Sequence, residues 1–116
     1  MTKTKLFLIP VLFALITLSL SAQQGGFRGP SVGPITVAEA LNLRDDAPVI
    51  LRGRVLRFLG NERYLFADDT GTITVEIKRR IWGTLSIDEN DIVEISGEIE
   101  RNRNRVEVEV DSIRKI

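Results

Sequence analysis

Histidine and cysteine are both absent from the 116 residues, and this removes most routes to catalysis. No imidazole is available for general acid–base work, no thiolate for attack, and no Cys/His cage for a metal. Ser31, Ser86, Ser96 and Ser112 have no histidine to activate them as nucleophiles. Carboxylates remain, in two clusters, Asp68-Asp69 and Asp88-Glu89-Asp91. Both fall where the pattern places turns, and aspartate is favoured there for its local backbone hydrogen bonds. Turn formation therefore accounts for these acids without catalysis. Carboxylates and carbonyls alone can hold a hard divalent ion, which keeps weak metal binding as an alternative, although no EF-hand spacing occurs. The expectation is a non-enzymatic protein with no cofactor.

Binding chemistry has more material. Cations cluster at Arg52, Arg54 and Arg57 and again at Lys78-Arg79-Arg80, and the aromatics Tyr64, Phe66 and Trp82 fall near them in the sequence. Arg52, Arg54, Tyr64, Phe66, Lys78, Arg79 and Trp82 are the candidate ligand-binding residues. Each has a plainer reading beside the functional one. Tyr64 and Phe66 lie two apart, hence on one face of a strand, and a small barrel needs bulky filling there; that reading is favoured, with Leu65 and Ala67 outward. Glu94, Glu98, Glu100, Glu107, Glu109 and Asp111 alternate along the last two strands as an acidic outer surface. Arg52 and Arg54 can pair with them, each cross-strand pair contributing roughly 0.2–1 kcal/mol. Trp82, beside Gly83, suits a cap on the barrel bottom or the wall of a pocket.

The elements that position these residues follow from periodicity. Thr36 and Glu39 have capping-box spacing, and Val37, Ala40 and Leu41 share a face, so a short helix runs from about Val37 to Leu43. From Pro48 the period is two, through Val49, Leu51, Gly53 and Val55, giving a long first strand that Gly53 allows to bend. A turn at Gly60-Asn61 leads to "RYLFAD", and Asp69-Thr70-Gly71 turns into "TITVEIK", with Ile73, Val75 and Ile77 inward. Lys78 to Ser86 is a short helix or loop. "IDENDIVEISGEIE" is the fourth strand, and "RVEVEVDSI" the fifth, with Val106, Val108 and Val110 inward. If Ile99 and Val106 face one core, paired residue numbers in this last hairpin must sum to an odd value. The turn then holds two residues, Asn102-Arg103 or Arg103-Asn104, with Asn able to take positive φ. Five strands, the first long and bent, with an insert between the third and fourth, predict an all-β, five-stranded OB-fold barrel. An SH3-like barrel is the rival.

The start of the chain reads differently. Lys3 and Lys5 precede the apolar run Leu6–Leu20, and small residues follow at Ser19, Ser21 and Ala22. That order is the pattern of a secretory signal peptide. Residues 1–22 are expected to be cleaved, 23–34 to form a flexible Gly/Pro-rich leader containing "GGFRGPS", and 35–116 to form the barrel domain. Loss of Lys3 and Lys5 leaves 14 basic and 16 acidic residues, a net charge of −2. A near-neutral, exported domain argues against a nucleic-acid partner, and nothing spans a membrane after processing.

The segments "GGFRGPS", "VAEALNLRDDAPVILRGRV", "YLFADDTGTITVEI", "RRIWGTLSIDENDIVEISGEIE" and "NRVEVEVDSIRKI" closely resemble the bacterial OB-fold (BOF) family, the small periplasmic stress-tolerance proteins of the YgiW/YdeI type. The resemblance runs from Gly25 to the C-terminus. It implies a signal peptide, one OB barrel and no catalytic constellation. It also implies a role in tolerance of envelope stresses such as cationic peptides, oxidants and metal ions, through binding of envelope components. Under it, Phe27 becomes a short docking element. One departure is the arginine-rich "ERNRNRVE" and "IKRR", which bears on ligand preference. The expected function is a periplasmic binding protein whose partner is a charged small molecule, an envelope polymer or an envelope protein. Weak divalent-metal binding and secreted single-stranded nucleic-acid binding are the alternatives.

Overall fold

The computed structural model describes residues 33–116. The expected signal peptide, the leader up to Val32 and its Phe27 lie outside the described residues. The elements in chain order are β1 (Pro34–Ile35), α1 (Val37–Ala40), β2 (Pro48–Gly60), β3 (Arg63–Asp68), β4 (Gly71–Glu76), α2 (Arg79–Trp82), β5 (Val93–Asn102) and β6 (Arg105–Lys115). The strands follow the order β1-β2-β3-β4-β6-β5, and β5 returns to pair with β2. β2, β3, β4, β6 and β5 thus form the closed five-stranded OB barrel expected from the sequence.

The period-two pattern supplies the core. Val49, Leu51, Val55, Phe66, Ile73, Val75, Ile77, Val93, Ile95, Ile99, Val108 and Val110 are all buried. Closure depends on the thirteen-residue β2. Its first half, Pro48–Gly53, pairs antiparallel with β5 (Pro48↔Glu98 to Gly53↔Val93). Its second half pairs with β3 from Arg54↔Ala67 to Gly60↔Arg63, with register slips at Leu56 and Leu59. Gly53 marks the change of partner. A Cβ there would collide with the Ala67 carbonyl oxygen and lie 3.0 Å from the Phe66 ring.

The β5–β6 hairpin keeps the expected parity. Asn102↔Arg105, Ile99↔Val108 and Gly97↔Val110 have odd sums, and the turn is Arg103-Asn104. Neither turn residue takes positive φ; the Asn104 N–H instead donates to Asn102 Oδ1 at 3.3 Å. Parity holds only as far as Gly97, because a slip before Ser96↔Ser112 leaves Asp111 as an extra residue.

Two expectations need correction. Pro34 belongs to the fold, not the leader: Pro34 and Ile35 pair parallel with Ile50 and Leu51. A proline fits the start of such a strand because no ladder partner requires its missing N–H. The first helix also stops at Ala40 instead of reaching Leu43. Its capping box forms as predicted, but the Asn42 and Leu43 N–H groups reach Glu39 and Ala40 carbonyls, three residues back. That tightening frees the Leu41 and Leu43 carbonyls, which accept from the Arg101 guanidinium. The Arg101 N–H in turn donates to Asp45 Oδ1 at 2.7 Å. Val37 and Ala40 of α1 are wholly buried against the core.

Gly53→Ala should lower stability by about 1–3 kcal/mol through overpacking against backbone. Urea denaturation would show a lower midpoint with an unchanged slope.

Candidate functional site

Among the described residues the most exposed aromatic side chain, Phe58, lies towards the turn end of the β2–β3 hairpin. Asn61 and Glu62 turn it with φ of 52° and 62°, the two-residue arrangement whose twist matches the flanking strands. This register sets Phe58 directly opposite Tyr64, with ring centroids 5.2 Å apart. Tyr64 meets the Trp82 edge at 5.4 Å and an interplanar angle of 72°. Trp82 arrives on α2, which Glu62 anchors: its carboxylate accepts the Arg79 N–H at 2.7 Å, and its carbonyl accepts the Ile77 N–H at 2.8 Å. Phe58 is 62% exposed, and Leu56 and Leu59 beside it are exposed too.

Two shallow grooves flank this aromatic row. One, about 190 Å³, is bounded by Phe58, Glu62, Tyr64, Ile77, Arg79 and Trp82. The other, about 200 Å³, lies between β2 residues 55–58 and the 87–89 segment, with Tyr64 and Trp82 at its inner wall. Their rims carry both signs of charge: Arg57 and Arg79 against Glu62, Asp88 and Glu89. Such a site offers stacking surface, apolar contact and charged rim positions. It offers no nucleophile–base pair.

The sequence-derived candidates separate into two places. Tyr64, Arg79 and Trp82 come together at the grooves, with Lys78 just before α2. Tyr64 and Phe66 do share the inward face, but Phe66 is 0% exposed. It is filling for the barrel and cannot touch a ligand, which corrects its place among the binding residues. Arg52 is on another part of the surface, paired with Glu94 at 2.8 Å; Arg114 holds the same carboxylate at 3.0 Å. The Arg52 hydrogen bond, reinforced by Arg114 against partial burial, keeps the Glu94 carboxyl below its ordinary range. Arg54 lines a separate depression of about 180 Å³ with Arg52, Asp68, Asp69 and Ile92, and forms no ion pair among the described residues. The charge ladder thus holds for Arg52.

Sequence reasoning missed Phe58, although "VLRFLG" offers a signal: apolar residues at 55, 56, 58 and 59 break the alternation of β2. It also misplaced Glu107, expected on the acidic exterior. Glu107 is 3% exposed because Arg63 covers it, with Nε–Oε2 at 2.6 Å and Nη2–Oε1 at 3.3 Å. Glu76 stands 3.7 Å from the same guanidinium. The Glu107 hydrogen bond, opposed by burial, pushes the Arg63 pKa up.

Asp68, Asp88 and Asp91 of the acidic clusters are committed to local structure. Asp68 accepts the Val37 N–H at 2.8 Å, the Thr70 N–H at 2.8 Å and the Thr70 hydroxyl at 2.6 Å. Thr70 Oγ1 accepts the Ala38 N–H at 3.0 Å, so this turn holds the start of α1. Asp88 and Asp91 likewise bind backbone N–H groups of Asn90 and Asp88. Among the described residues, no group of three or more acids is placed to hold a metal ion.

Comparison with known proteins gives this geometry a context. The family described as "Bacterial OB fold (BOF) protein" matches residues 17–115. The chain belongs to this family. It is 41% identical over 110 residues to the protein YgiW of Escherichia coli K12, covering 84% of this chain and 85% of that one. The solved structure of the hypothetical protein ygiW from E. coli superposes with a TM-score of 0.72 at 43% identity, covering 80% of this chain and all of that one. The BOF chain is also 31% identical over 114 residues to the calcium-regulated OB-fold protein CarO of Pseudomonas aeruginosa, covering 97% of this chain and 98% of that one.

One pH dependence follows from the α1 anchor. Burial acts to raise the Asp68 pKa, but the Thr70 side-chain hydrogen bond and backbone donors at Val37, Thr70 and Gly71 outweigh it and hold the folded value below 3.8. The folded pKa being the lower one, this stabilisation is complete above the unfolded aspartate value and is lost as pH falls through the folded value. Asp68→Ala should therefore be less stable than the parent at pH 7, with the gap closing at the acid end. Urea midpoints measured between pH 7 and pH 2 check this.

Proposed function

We propose that this BOF protein is a non-enzymatic binding protein, exported to the periplasm through a signal peptide, residues 1–22, that is then cleaved, and that it supports envelope stress tolerance by holding a charged envelope component at the Phe58–Tyr64–Trp82 groove. The observation that carries this reading is the exposed aromatic row with mixed charge on its rim. Exposed aromatics desolvate at low entropic cost and dominate binding energy where they seat in a partner. Catalysis has little support, since the acids nearest the grooves lack activating partners, Asp68 and Asp91 accept turn N–H groups, and Glu94 and Glu107 are held by arginines.

The alternatives are less well supported. A nucleic-acid strand would stack on the aromatics and run its phosphates along cations, but Glu62, Asp88 and Glu89 would meet that backbone. A divalent ion at the aspartate turns would have to displace backbone N–H donors from Asp68, Asp88 and Asp91. The name of the Pseudomonas relative links that protein to calcium, and calcium titration asks whether the link extends here.

Trp82 is the sole tryptophan, so its emission reports on the groove directly. The protein purified from the periplasm should capture an envelope component that shifts this emission. Phe58→Ala should weaken capture about tenfold or more, as expected for an aromatic anchor, while costing only about 0.5–1.5 kcal/mol of stability through the lost Tyr64 contact. Arg52→Glu should leave capture intact. Equal capture by the Phe58→Ala protein would refute the groove. Export is checked by sequencing the N-terminus of the periplasmic form, expected to begin at Gln23 or Ala22; a chain still carrying Met1 would refute processing.

A further inference from the structure

The β2–β3 turn holds a residue that its own backbone geometry disfavours. In a two-residue hairpin turn with positive φ at both central positions, glycine is the preferred second residue. Here Asn61, a type that tolerates this region, is followed by Glu62 at φ 62°. A side chain in that region carries a steric cost that glycine escapes. Such positions persist where their surroundings over-determine them. The surroundings in this case are α2. Its four residues are too few to hold a helical turn unaided, and its start lacks the usual supports. Lys78 stands at the cap position without a side-chain bond, and the single turn holds no acid and two cations, Arg79 and Arg80. Cations are the unfavourable sign at the positive end of a helix.

Glu62 supplies from the hairpin what α2 lacks. Its carboxylate accepts the Arg79 N–H at 2.7 Å, and its carbonyl accepts the Ile77 N–H just before the helix at 2.8 Å. That carboxylate has no Lys or Arg partner among the described residues, so the bond to Arg79 is not a by-product of an ion pair. The contacts close a ring. From Glu62 the chain continues along β3 to Tyr64, whose ring meets Trp82. Trp82 ends α2, and α2 begins at the residue that Glu62 holds. We propose that Glu62 is the positioning residue of the groove: it occupies a backbone conformation suited to glycine because its carboxylate fixes α2, and through α2 the edge of Trp82 against Tyr64. That this edge meets a ligand rests on the groove reading above; the placement of Trp82 does not. Turn geometry and groove geometry pull on position 62 in opposite directions.

The test compares Glu62→Gly, Glu62→Ala and Glu62→Gln with the parent, each purified from the periplasm, by Trp82 emission, its quenching by acrylamide, near-UV circular dichroism and urea denaturation. Glu62→Gly and Glu62→Ala both remove the acceptor. Each should show a red-shifted Trp82 emission, stronger quenching and a weaker near-UV band, the sign of an aromatic ring no longer held in one packing. Glu62→Gln keeps an oxygen acceptor at the same reach and should restore the parent spectra. The urea midpoints should separate the two truncations: alanine loses the bond and keeps the positive φ, whereas glycine loses the bond and sheds the strain, so Glu62→Gly should unfold at the higher midpoint. Parent-like Trp82 spectra in Glu62→Gly would overturn the proposal, since a glutamate acting only as a charged rim group would leave the free protein unchanged. Failure of Glu62→Gln to restore the spectra would overturn it too, and equal midpoints for the glycine and alanine variants would overturn the opposition at position 62. These readouts need no ligand, so equal capture by Phe58→Ala would remove the groove reading and leave the placement of Trp82 to be decided on its own.

Discussion

The barrel depends on one strand serving two partners. β2 is bonded to β5 along its first half and to β3 along its second, and the change occurs at a residue with no space for a Cβ. A five-stranded sheet of this size closes only if one strand bends sharply enough to join its two ends, and Gly53 allows that bend with the Ala67 backbone in near contact. Gly97 meets the Glu109 carbonyl in the same way on the β5–β6 side. The buried valines and isoleucines stabilise the closed form, but these two close approaches decide that closure is possible.

The site follows from the same constraint. β2 is longer than its pairing with β5 requires, and its last seven residues pair with β3 instead, Val55 opposite Phe66 in the core and Phe58 opposite Tyr64 nearer the turn. Phe58 and Tyr64 face each other on that hairpin because the register slip at Leu56 changes which side chains align. Fixing Trp82 against them takes a second tether, from Glu62 in the hairpin's turn to the start of α2. Fold and site share residues throughout, and a change in the turn reaches the aromatic row directly.

Much of this was legible in the sequence because it is local or periodic. The Thr36–Glu39 capping box, the alternation from Val49 to Val55, the glycine at the bend and the parity of the last hairpin all appear in the structure. What was not legible depends on partners distant in the chain. Glu107 looks like one more outward glutamate until Arg63, 44 residues earlier, is seen to cover it. Phe66 and Tyr64 have the same parity, yet only Tyr64 reaches the surface, because it lies nearer the hairpin turn, opposite the exposed Phe58. Phe58 was overlooked for the opposite reason: two extra residues in β2 disrupt the alternation by which strand faces are recognised.

The contact between β4 and β6 is the barrel's short seam, three parallel pairs from Thr74↔Glu107 to Glu76↔Glu109. Arg63 reaches across β4 from β3 to Glu107 and acts as a clasp over that seam. The α2 helix leans on β6, whereas Phe58 and Tyr64 ride on β2 and β3. The aromatic row is therefore anchored on both banks of the seam, and any slackening of the clasp alters the gap between Trp82 and its two neighbours. The width of the groove is a mechanical property of how tightly the barrel is fastened.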